Sequence, residues 1–306
     1  MIFCRASDTF TRALKYNDRM TKPLQRVSSG IRMAVLPPPA LSTVVRLIHI
    51  ENDSAGPVIV PATPWATITV FHSGGMTVAK GGIINEPFIC GPLTKPFPIS
   101  WLPSTTFVSA HIEPRFLSVL FGIDAGTVCD HPVTLRDAAP ELKVAALQDC
   151  VGIVSHTSVW IAAMCDWLKD RLIARIGVQA PLHLPPGLIH RPTKSIADFF
   201  GLSTRQLERH YKAAYGLNMR ESRKLERYFD TVCCLLRGPM HHGALTRIAV
   251  ECGYHDQSHM VRDFQTFAGM APRELLETAA IRSEHRLYQY DTASLEVLLR
   301  SRAIVM

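Results

Sequence analysis

Charged side chains recur at helical spacing between residues 205 and 212. Four of them lie at positions i, i+3, i+4 and i+7, which share one face of an α-helix, and these are Arg205, Glu208, Arg209 and Lys212. A polar face of this kind near a helix N-terminus can enter the major groove of DNA. The same pattern is also typical of an ordinary hydrated helix face, so its meaning depends on the elements that carry it.

A second stretch later in the chain offers similar chemistry. Ser258, His259 and Arg262 project from one side of a predicted helix, and Gln257 lies at its start. The opposite sides of the two helices are apolar at positions i, i+4 and i+7. These apolar residues are Leu207, Tyr211 and Ala214 in the first helix and Met260, Phe264 and Phe267 in the second. Each helix therefore presents one face to a core and one face to solvent.

The two helices belong to a pattern that occurs twice. The matched positions are Ile196, Ala197, Gly201, Leu207, Arg209, Tyr211 and Gly216 in the first copy and Ile248, Ala249, Gly253, Met260, Arg262, Phe264 and Gly269 in the second. In both copies the aromatic residue follows the arginine by two positions and the last glycine follows it by seven. A short helix, a tight turn and a second helix, repeated, is the signature of paired helix-turn-helix units.

Turn residues stand where the helices of each unit must end and begin. Gly201 and Gly253 suit the end of a helix, because glycine adopts the left-handed conformation at little cost. Ser203 and Gln206 form the S-x-x-Q pattern of a capping box, and Asp256 can cap the corresponding helix of the second copy. The turn chemistry therefore agrees with the apolar periodicity in both copies.

One long helix is predicted between the two copies, from Met219 to Leu236. Its apolar positions have helical spacing, and four basic residues lie in its first half: Arg220, Arg223, Lys224 and Arg227. A continuous helix would hold the two units at a fixed separation. If both reading helices lie on one side of DNA, they meet successive major grooves about 34 Å apart.

The composition is that of a globular protein with more than one domain. The 306 residues are 47 % hydrophobic and 19 % charged, which argues against intrinsic disorder. The net charge of +7 favours an anionic partner, although many basic proteins bind no nucleic acid. With no apolar run of about 18 residues and no signal-peptide pattern, we expect no membrane span and a cytoplasmic location. The eight cysteines form no CxxC motif, so we expect reduced thiols rather than a metal or redox site.

The N-terminal half divides into a basic segment and a β-rich region. Residues 1–33 are basic and lack an apolar period, which favours a loose tail or an extension upstream of a start at Met33. Residues 34–137 contain short extended runs separated by Gly and Pro, a pattern typical of a barrel or a sandwich. A small barrel can be filled by side chains or can hold one ligand.

Aromatic residues and histidines in the β-rich region are candidates for a ligand pocket. The candidate pocket residues are Trp65, Phe71, His72, Phe88, Trp101 and Phe107, although aromatic residues in a β domain more often form plain core. His49 and Glu51, like His111 and Glu113, are two residues apart and would share one face of a strand. A metal site would need several such ligands to converge.

Composition sets the remaining domain boundaries. Residues 138–180 have a helical apolar spacing that is interrupted near Gly152; such helices could pack on the barrel, pair with a second copy of the chain, or do both. Residues 181–193 are the predicted linker, because neither a helix nor a central strand tolerates so many prolines. The linker separates the β-rich half from residues 194–280, and residues 281–306 form a C-terminal tail.

Residues 195–276 resemble the DNA-binding domain of the AraC/XylS family of bacterial transcription regulators. The more specific part of the likeness lies in the second copy, at Ile248, Ala249, Gly253, Tyr254, Asp256, Ser258, Arg262, Phe264, Gly269 and Pro272. The N-terminal half resembles, in architecture, the cupin-like sensor barrels found in part of this family. The implied fold class is α+β, with a cupin-like barrel, a helical dimerisation segment at 138–180, and an all-α domain of two helix-turn-helix units joined by a long helix.

The resemblance also implies roles for the polar residues. By position, the base-reading residues are Arg205, Glu208, Arg209, Gln257, Ser258, His259 and Arg262. Their side chains carry donors and acceptors that suit base edges. Contacts to phosphate are assigned to Ser203, Lys212, Arg223 and Lys224. The cupin metal motif, closely spaced histidines followed by a glutamate, is not present, so no metal or other cofactor is expected.

These features predict a sequence-specific DNA-binding transcription regulator rather than an enzyme. The expected partners are double-stranded DNA, RNA polymerase, a second copy of the chain and a small-molecule effector of the N-terminal domain; activation is expected by resemblance alone. One alternative is a DNA-binding protein whose N-terminal half is only an oligomerisation scaffold. Another is a metal-dependent enzyme of the β domain, which would use His49, His72, His111 and the nearby glutamates.

Overall fold

The computed structural model describes residues 32–78, 82–142, 144–153, 156–175, 182–185, 187–236, 243–280 and 296–297. The predicted basic tail at 1–33 lies outside these residues except for Arg32 and Met33, which begin the first strand. The predicted C-terminal tail at 281–306 lies outside them except for residues 296–297. No helix in the described part combines the length and the hydropathy that crossing a membrane requires.

The N-terminal half is built on one antiparallel sheet. Its strands in the described residues are β1 (Arg32–Val35), β2 (Val45–Val60), β3 (Ala66–Ser73), β4 (Met76–Val78), β5 (Ile83–Ile84), β6 (Phe88–Cys90), β7 (Phe97–Ile112) and β8 (Pro132–Thr134). The pairing order is β1-β2-β7-β3-β6-β8, and β4 pairs with both β5 and β7. The predicted β-rich region is confirmed, and β2 is one strand of 16 residues where the sequence indicates two short ones.

The two longest strands bend in their middle. β2 pairs with β7 along both of its halves, but the register shifts between Glu51 and Gly56. Asp53 and Gly56 have positive φ values of 54° and 84°, which is typical of an interrupted ladder that changes direction. One half of β7 pairs with β3 and the other half with β4. The bend therefore wraps the sheet around a concave face.

Side chains of the sheet alternate between two buried faces. Ile68 and Ala110 point to one face and belong to a large apolar core that includes helical residues. Thr69 and Ser109, their neighbours in sequence, point to the other face and line a cavity. The positions of these strands therefore decide which side chains a small molecule could touch.

Four α-helices lie in the described residues of the N-terminal half. They are α1 (Leu117–Phe121), α2 (Leu135–Ala138), α3 (Ala145–Ile153) and α4 (Thr157–Ile173). In α4, Trp160, Met164 and Leu168 lie at i, i+4 and i+8 and are buried in the same core as the sheet. The predicted helical segment is thus present, and its apolar stripe packs on the sheet.

The described residues of the C-terminal half form helices and the loops between them, as predicted. Its helices are α5 (Thr193–Phe199), α6 (Thr204–Tyr215), α7 (Met219–Leu236), α8 (Ala244–Glu251), α9 (Gln257–Ala268) and α10 (Pro272–Ala280). The pairs α5–α6 and α8–α9 are the two helix-turn-helix units, and α7 connects them. The bounds of α7 coincide with those that its apolar spacing predicts.

The C-terminal helices dock directly on the N-terminal sheet. The Ala62 amide donates a 2.8 Å hydrogen bond to the Phe267 carbonyl at the end of α9. The rings of Trp65 and Phe229 meet edge to face with their centroids 4.7 Å apart. Gly216 lies so close to Ala125 that a Cβ at Gly216 would stand 2.7 Å from the Ala125 carbonyl. Both helix-turn-helix units therefore contact the N-terminal half.

Candidate functional site

The first reading helix, α6, begins and ends through local chemistry. The Ser203 hydroxyl accepts a hydrogen bond from the Gln206 amide, and the Gln206 side chain accepts one from the Ser203 amide, so the predicted capping box is present. Gly201 and Gly216, which precede and follow the helix, have φ values of 64° and 75°. Leu207, the first core residue of α6, is fully buried. Burial of one face directs the other face to solvent.

The solvent face of α6 carries the predicted base-reading residues of the first unit. Arg205, Glu208 and Arg209 are all exposed. Together with the start of α7 they line a surface groove, whose residues are Arg205, Glu208, Arg209, Lys212, Asn218, Met219 and Arg220. At the groove, Asn218 caps α7 by accepting a 2.9 Å hydrogen bond from the Glu221 amide. Four cations and one carboxylate beside a helix N-terminus make an electropositive surface.

The second reading helix, α9, is capped by Asp256. The carboxylate accepts a 2.7 Å hydrogen bond from the His259 amide, and this bond lowers the pKa of the Asp256 carboxyl. Ser258 and Arg262 are exposed. Gln257 is half-buried, and its side-chain oxygen accepts a 3.0 Å hydrogen bond from the Thr246 hydroxyl. The outward face of α9 therefore makes a side-chain hydrogen bond to its own domain, at Gln257, whereas Arg205, Glu208 and Arg209 of α6 are exposed.

Arg227 fastens α9 to the connecting helix. Its Nη2 donates a 2.7 Å hydrogen bond to the Asp263 carboxylate and lies 3.3 Å from Nε2 of His259. Its guanidinium stands 4.4 Å from the centre of the Tyr254 ring. Burial, with a further contribution from the Asp263 carboxylate, raises the pKa of Tyr254 to about 12. The predicted base-reading residue His259 is thus in contact with this cluster through its ring.

The four predicted phosphate-binding residues differ in how far their side chains are engaged. Ser203, Lys212 and Lys224 are exposed. Arg223 is half-buried; its Nε donates to the Ile189 carbonyl, and its Nη2 donates to the Arg191 carbonyl and the Thr193 hydroxyl. It thereby secures the segment before α5 against α7, while the two lysines are open to solvent.

A cavity of about 160 Å³ lies on the concave face of the sheet. Most of its walls are apolar or aromatic side chains from β2, β3, β4, β6 and β7. Phe229 of α7 also lines it, so part of the wall belongs to the C-terminal half. A space enclosed by apolar walls with a few polar groups is the usual form of a small-molecule site.

Polar groups cluster on one wall of the cavity. His49 Nε2 lies 3.8 Å from the Glu51 carboxylate, which also accepts a hydrogen bond from the Ser54 hydroxyl. The rings of His49 and His111 are 6.2 Å apart. Burial, together with the nearby His49, lowers the pKa of His111 to about 3. His111 is therefore a neutral imidazole at physiological pH.

The C-terminal half matches a known family. The family model described as "Helix-turn-helix domain" covers residues 196–278, which span both helix-turn-helix units and the connecting helix. Residues 196–278 are an AraC/XylS-type helix-turn-helix domain. The AraC-type domain is a DNA-binding module. The resemblance of residues 195–276 to this type of domain is therefore confirmed.

Comparison with whole proteins gives weaker likenesses. No curated protein matches the chain significantly. Apo ToxT from Vibrio cholerae strain SCE256, in a variant form, is similar with a TM-score of 0.42 and 11 % identity, over 76 % of this chain and 96 % of that one. ToxT of the same strain with bound unsaturated fatty acid is similar with a TM-score of 0.40 and 11 % identity, over 83 % and 96 %. Similarity at this level identifies neither a ligand nor a mechanism.

The candidate pocket residues divide between the two faces of the sheet. Trp65, Phe88, Trp101 and Phe107 line the cavity. Phe71 stands behind this wall and packs against Phe88 and Phe107. His72 lies outside the cavity, because the next position of β3 points to the opposite face. There His72 Nδ1 is 2.6 Å from the Val151 carbonyl and its ring meets Trp160.

Of the two predicted His–Glu pairs, only one has both side chains in the cavity. His49 and Glu51 both line the cavity, as their spacing on a strand predicts. Glu113 does not share the cavity with His111, because β7 ends at Ile112 and Glu113 pairs with Arg46 instead. Among the described residues, no three His, Cys, Asp or Glu side chains are grouped so as to hold a metal ion.

Phe229 is one of several cavity residues that sequence reasoning misses; Met76, Phe97 and Ile99 are others. The spacing of Phe229 with Leu225 and Val232 predicts a core residue of α7, and Phe229 does belong to that core. Its contact with Trp65 joins two segments more than a hundred residues apart, and no local pattern in the sequence signals such a contact.

Proposed function

We propose that this protein is a sequence-specific transcription regulator in which a small molecule bound in the N-terminal cavity controls DNA binding by the AraC-type domain. One observation carries the proposal: Phe229, on the helix that joins the two DNA-binding units, forms part of the cavity wall. A ligand in the cavity would therefore touch the DNA-binding domain itself.

In the proposed complex, both reading helices enter the major groove. Arg205, Arg209 and Arg262 are placed on exposed faces and can each donate two hydrogen bonds to guanine. Gln257 can pair with adenine, and Glu208 can accept from cytosine. Ser258 and His259 complete the second reading face, with His259 also positioned by Arg227.

Contacts to the DNA backbone would fix the register of the two helices. Lys212 and Lys224 are exposed cations beside the first reading helix, and Ser203 lies at its N-terminus. Arg223 ranks below the lysines as a phosphate contact, because two of its nitrogens already donate within the domain. Such contacts position the protein without reading sequence.

Control by a ligand requires that the ligand bind two arrangements of the protein with different affinity. The docked arrangement described above buries Phe229 and Trp65 against each other. A ligand that packs against this aromatic pair would favour or oppose docking of α7, and α7 carries both units. The proposed signal therefore passes through one contact rather than through a long chain of residues.

The proposal includes assembly and contact with RNA polymerase. Two copies would pair through the segment 138–180, where α4 leaves Val159 and Ile173 exposed after packing on its own sheet. Pairing would place two AraC-type domains on one promoter, and activation would follow from polymerase recruitment. The cavity favours this regulator over an N-terminal half that acts only as a scaffold.

Selection of random duplex DNA by the full-length protein, followed by sequencing, tests the DNA-binding part. Two enriched blocks about 10 bp apart are expected, because the two units would meet successive grooves. Arg273→Ala provides a control: Arg273 is an exposed cation on α10, outside both reading faces, and this variant should select the same sequence. Absence of any enriched sequence, with or without compounds that stabilise the protein, would overturn the proposal.

Effector control has a separate test. Compounds that raise the melting temperature of the full-length protein are identified first, and the affinity for the selected DNA is then measured with each. At least one such compound should shift the affinity. Unchanged affinity with every stabilising compound would refute effector control and leave DNA binding intact.

A further inference from the structure

We propose that hydrogen bonds inside the second helix-turn-helix unit fix Gln257 and His259 as hydrogen-bond donors, so that both read guanine rather than adenine. This inference rests on the proposed function, in which α9 enters the major groove. It adds the base that these two side chains select and the two residues that position them, Thr246 and Arg227.

Gln257 is held by the other helix of its unit. It is the first residue of α9, and Thr246 is an exposed residue of α8. The Thr246 hydroxyl donates a 3.0 Å hydrogen bond to the side-chain oxygen of Gln257. A glutamine needs both its oxygen and its NH₂ group to pair with adenine, which presents a donor at N6 and an acceptor at N7. With the oxygen engaged, the NH₂ group is the end that is left for a base.

DNA binding favours the same orientation of this amide. A half-turn of the amide would exchange the places of its oxygen and its NH₂ group. The phosphates of DNA attract positive charge, so a donor is favoured over an oxygen on the side that faces DNA. Contact with DNA would also exclude the water that competes with an exposed hydrogen bond, and such a bond is stronger where the dielectric is low. The bond between Thr246 and Gln257 should therefore persist in the complex.

Arg227 fixes the tautomer of His259 in the same sense. Its Nη2 lies 3.3 Å from Nε2 of His259 and is held in place by a 2.7 Å hydrogen bond to the Asp263 carboxylate. A guanidinium group donates hydrogen bonds and cannot accept them. Nε2 must therefore accept, and the ring proton lies on Nδ1. The nitrogen that is left to meet a base is again a donor.

The carboxylate at the start of α9 is already engaged. One oxygen of Asp256 accepts a 2.7 Å hydrogen bond from the His259 amide, and the other lies 3.3 Å from Nδ1 of His255. Guanine presents two adjacent acceptors, N7 and O6, whereas adenine and cytosine present amino donors. Gln257 and His259 therefore match guanine. The first reading helix differs, because it carries the exposed acceptor Glu208.

Selection of random duplex DNA by the full-length protein first locates the two bases. Gln257→Ala and His259→Ala should each relax the preference at one base pair of the second block. In the wild-type selection both pairs should be guanine–cytosine, with guanine favoured about tenfold or more over adenine. Replacing either guanine by 7-deazaguanine, which lacks the N7 acceptor, should weaken binding of the wild-type protein. Any other pair at these positions, or unchanged binding to the 7-deazaguanine duplexes, would overturn the inference.

Thr246→Val tests the positioning residue, because it keeps the branched shape and removes the hydroxyl. The released amide can turn its oxygen toward the base and pair with adenine, so the guanine preference at the Gln257 pair should fall below about threefold. Thr266→Val is the matched control: Thr266 is exposed on α9, and its hydroxyl donates to the Arg262 carbonyl. This control should keep the wild-type preference.

The outcomes separate this inference from the proposed function. Absence of an enriched second block would refute base reading by α9, and this inference with it. An enriched block whose Gln257 pair is unaffected by Thr246→Val, or a uniform loss of affinity for all sequences, would overturn the positioning role and leave DNA reading intact. If Thr246→Val fails to fold, the pair that Gln257→Ala locates still decides between guanine and adenine.

Discussion

The two helix-turn-helix units share a sequence pattern but differ in what they pack against. The first unit has a small core of its own, formed by Ile196, Ala197, Leu207, Tyr211 and Met219. The second unit belongs to a larger core that also contains Leu47, Ala62 and Trp65 from the N-terminal half. The first unit contacts that half at residues 114–116 and at Gly216 without sharing a buried cluster with it, whereas the second is joined to it through a shared buried core.

This difference gives the two units different tasks in the proposed mechanism. The first reading helix presents an exposed and electropositive face, with its charged side chains free of the inter-domain contact. The second unit shares its core with the cavity wall through Phe229 and Trp65. We therefore expect ligand to alter the second unit first, while the first unit anchors the protein on DNA.

Removing the shared aromatic contact should have the largest effect. Phe229→Ala deletes a buried ring and should reduce the free energy of unfolding by about 3–5 kcal/mol. Hydrogen exchange should show the loss of protection concentrated in α9. Phe199→Ala is the control, because Phe199 is 65 % exposed on the first unit and its loss should change stability little. An equal loss of protection in α6 and α9 would contradict the comparison.

Weakening the contact between Arg227 and Asp263 should have the next largest effect on stability. Asp263→Asn removes the charged acceptor of Arg227, whose side chain is 20 % exposed, and should cost about 1.5–3 kcal/mol in chemical denaturation. Glu251→Gln on the same unit breaks an exposed pair with Arg247 and should cost less than about 0.5 kcal/mol. Similar costs for the two variants would show that the Arg227 cluster does not hold α9.

Replacing the two equivalent arginines, Arg209 and Arg262, tests whether each unit reads bases in its own block of DNA. Arg209→Ala should relax sequence preference in one block of the selected DNA and Arg262→Ala in the other, each by about 1–3 kcal/mol of discrimination. Repeating the random-duplex selection with each variant measures this effect. If both variants weaken all sequences equally, the two side chains contact phosphate rather than bases.

Lowering the pH should reduce the free energy of unfolding through His111, which lines the cavity. Because the pKa of His111 is lowered, the unfolded chain takes up a proton near pH 6.5 that the folded protein refuses until about pH 3. Stability should therefore fall as pH decreases through this window, by up to about 1.4 kcal/mol per pH unit.

Two variants isolate the contribution of His111. His111→Gln should flatten the dependence of unfolding free energy on pH, since an amide does not titrate. His190→Gln, at an exposed position before the first unit, should retain the wild-type slope. An unchanged slope in His111→Gln would mean that other groups cause the loss of stability in acid.

The sequence predicts those features that depend on local chemistry. The capping box of Ser203 and Gln206, the Asp256 cap and the glycines at positive φ are all found in the structure, because each depends on residues only a few positions apart. The inward pair His49 and Glu51 is also predicted, since alternation along a strand is a local rule.

Features that depend on where a strand ends or on distant contacts escape such reasoning. His111 and Glu113 separate because β7 ends between them, and His72 turns away because its position in β3 has the opposite parity. Phe229 enters the cavity wall only after two distant segments have packed together. The DNA-binding half is therefore easier to predict than the pocket, whose walls come from seven separate elements: β2, β3, β4, β6, β7, β8 and α7.

The core shared across the domains has a consequence for protein engineering. Regulators with modular halves are commonly recombined by joining a foreign sensor to a DNA-binding domain at the linker. Here such a hybrid would uncover Phe229 and the apolar surface that faces Leu47, Ala62 and Trp65. A working chimera would have to transplant these three residues on the incoming sheet, or replace the exposed ring on α7 with a polar side chain.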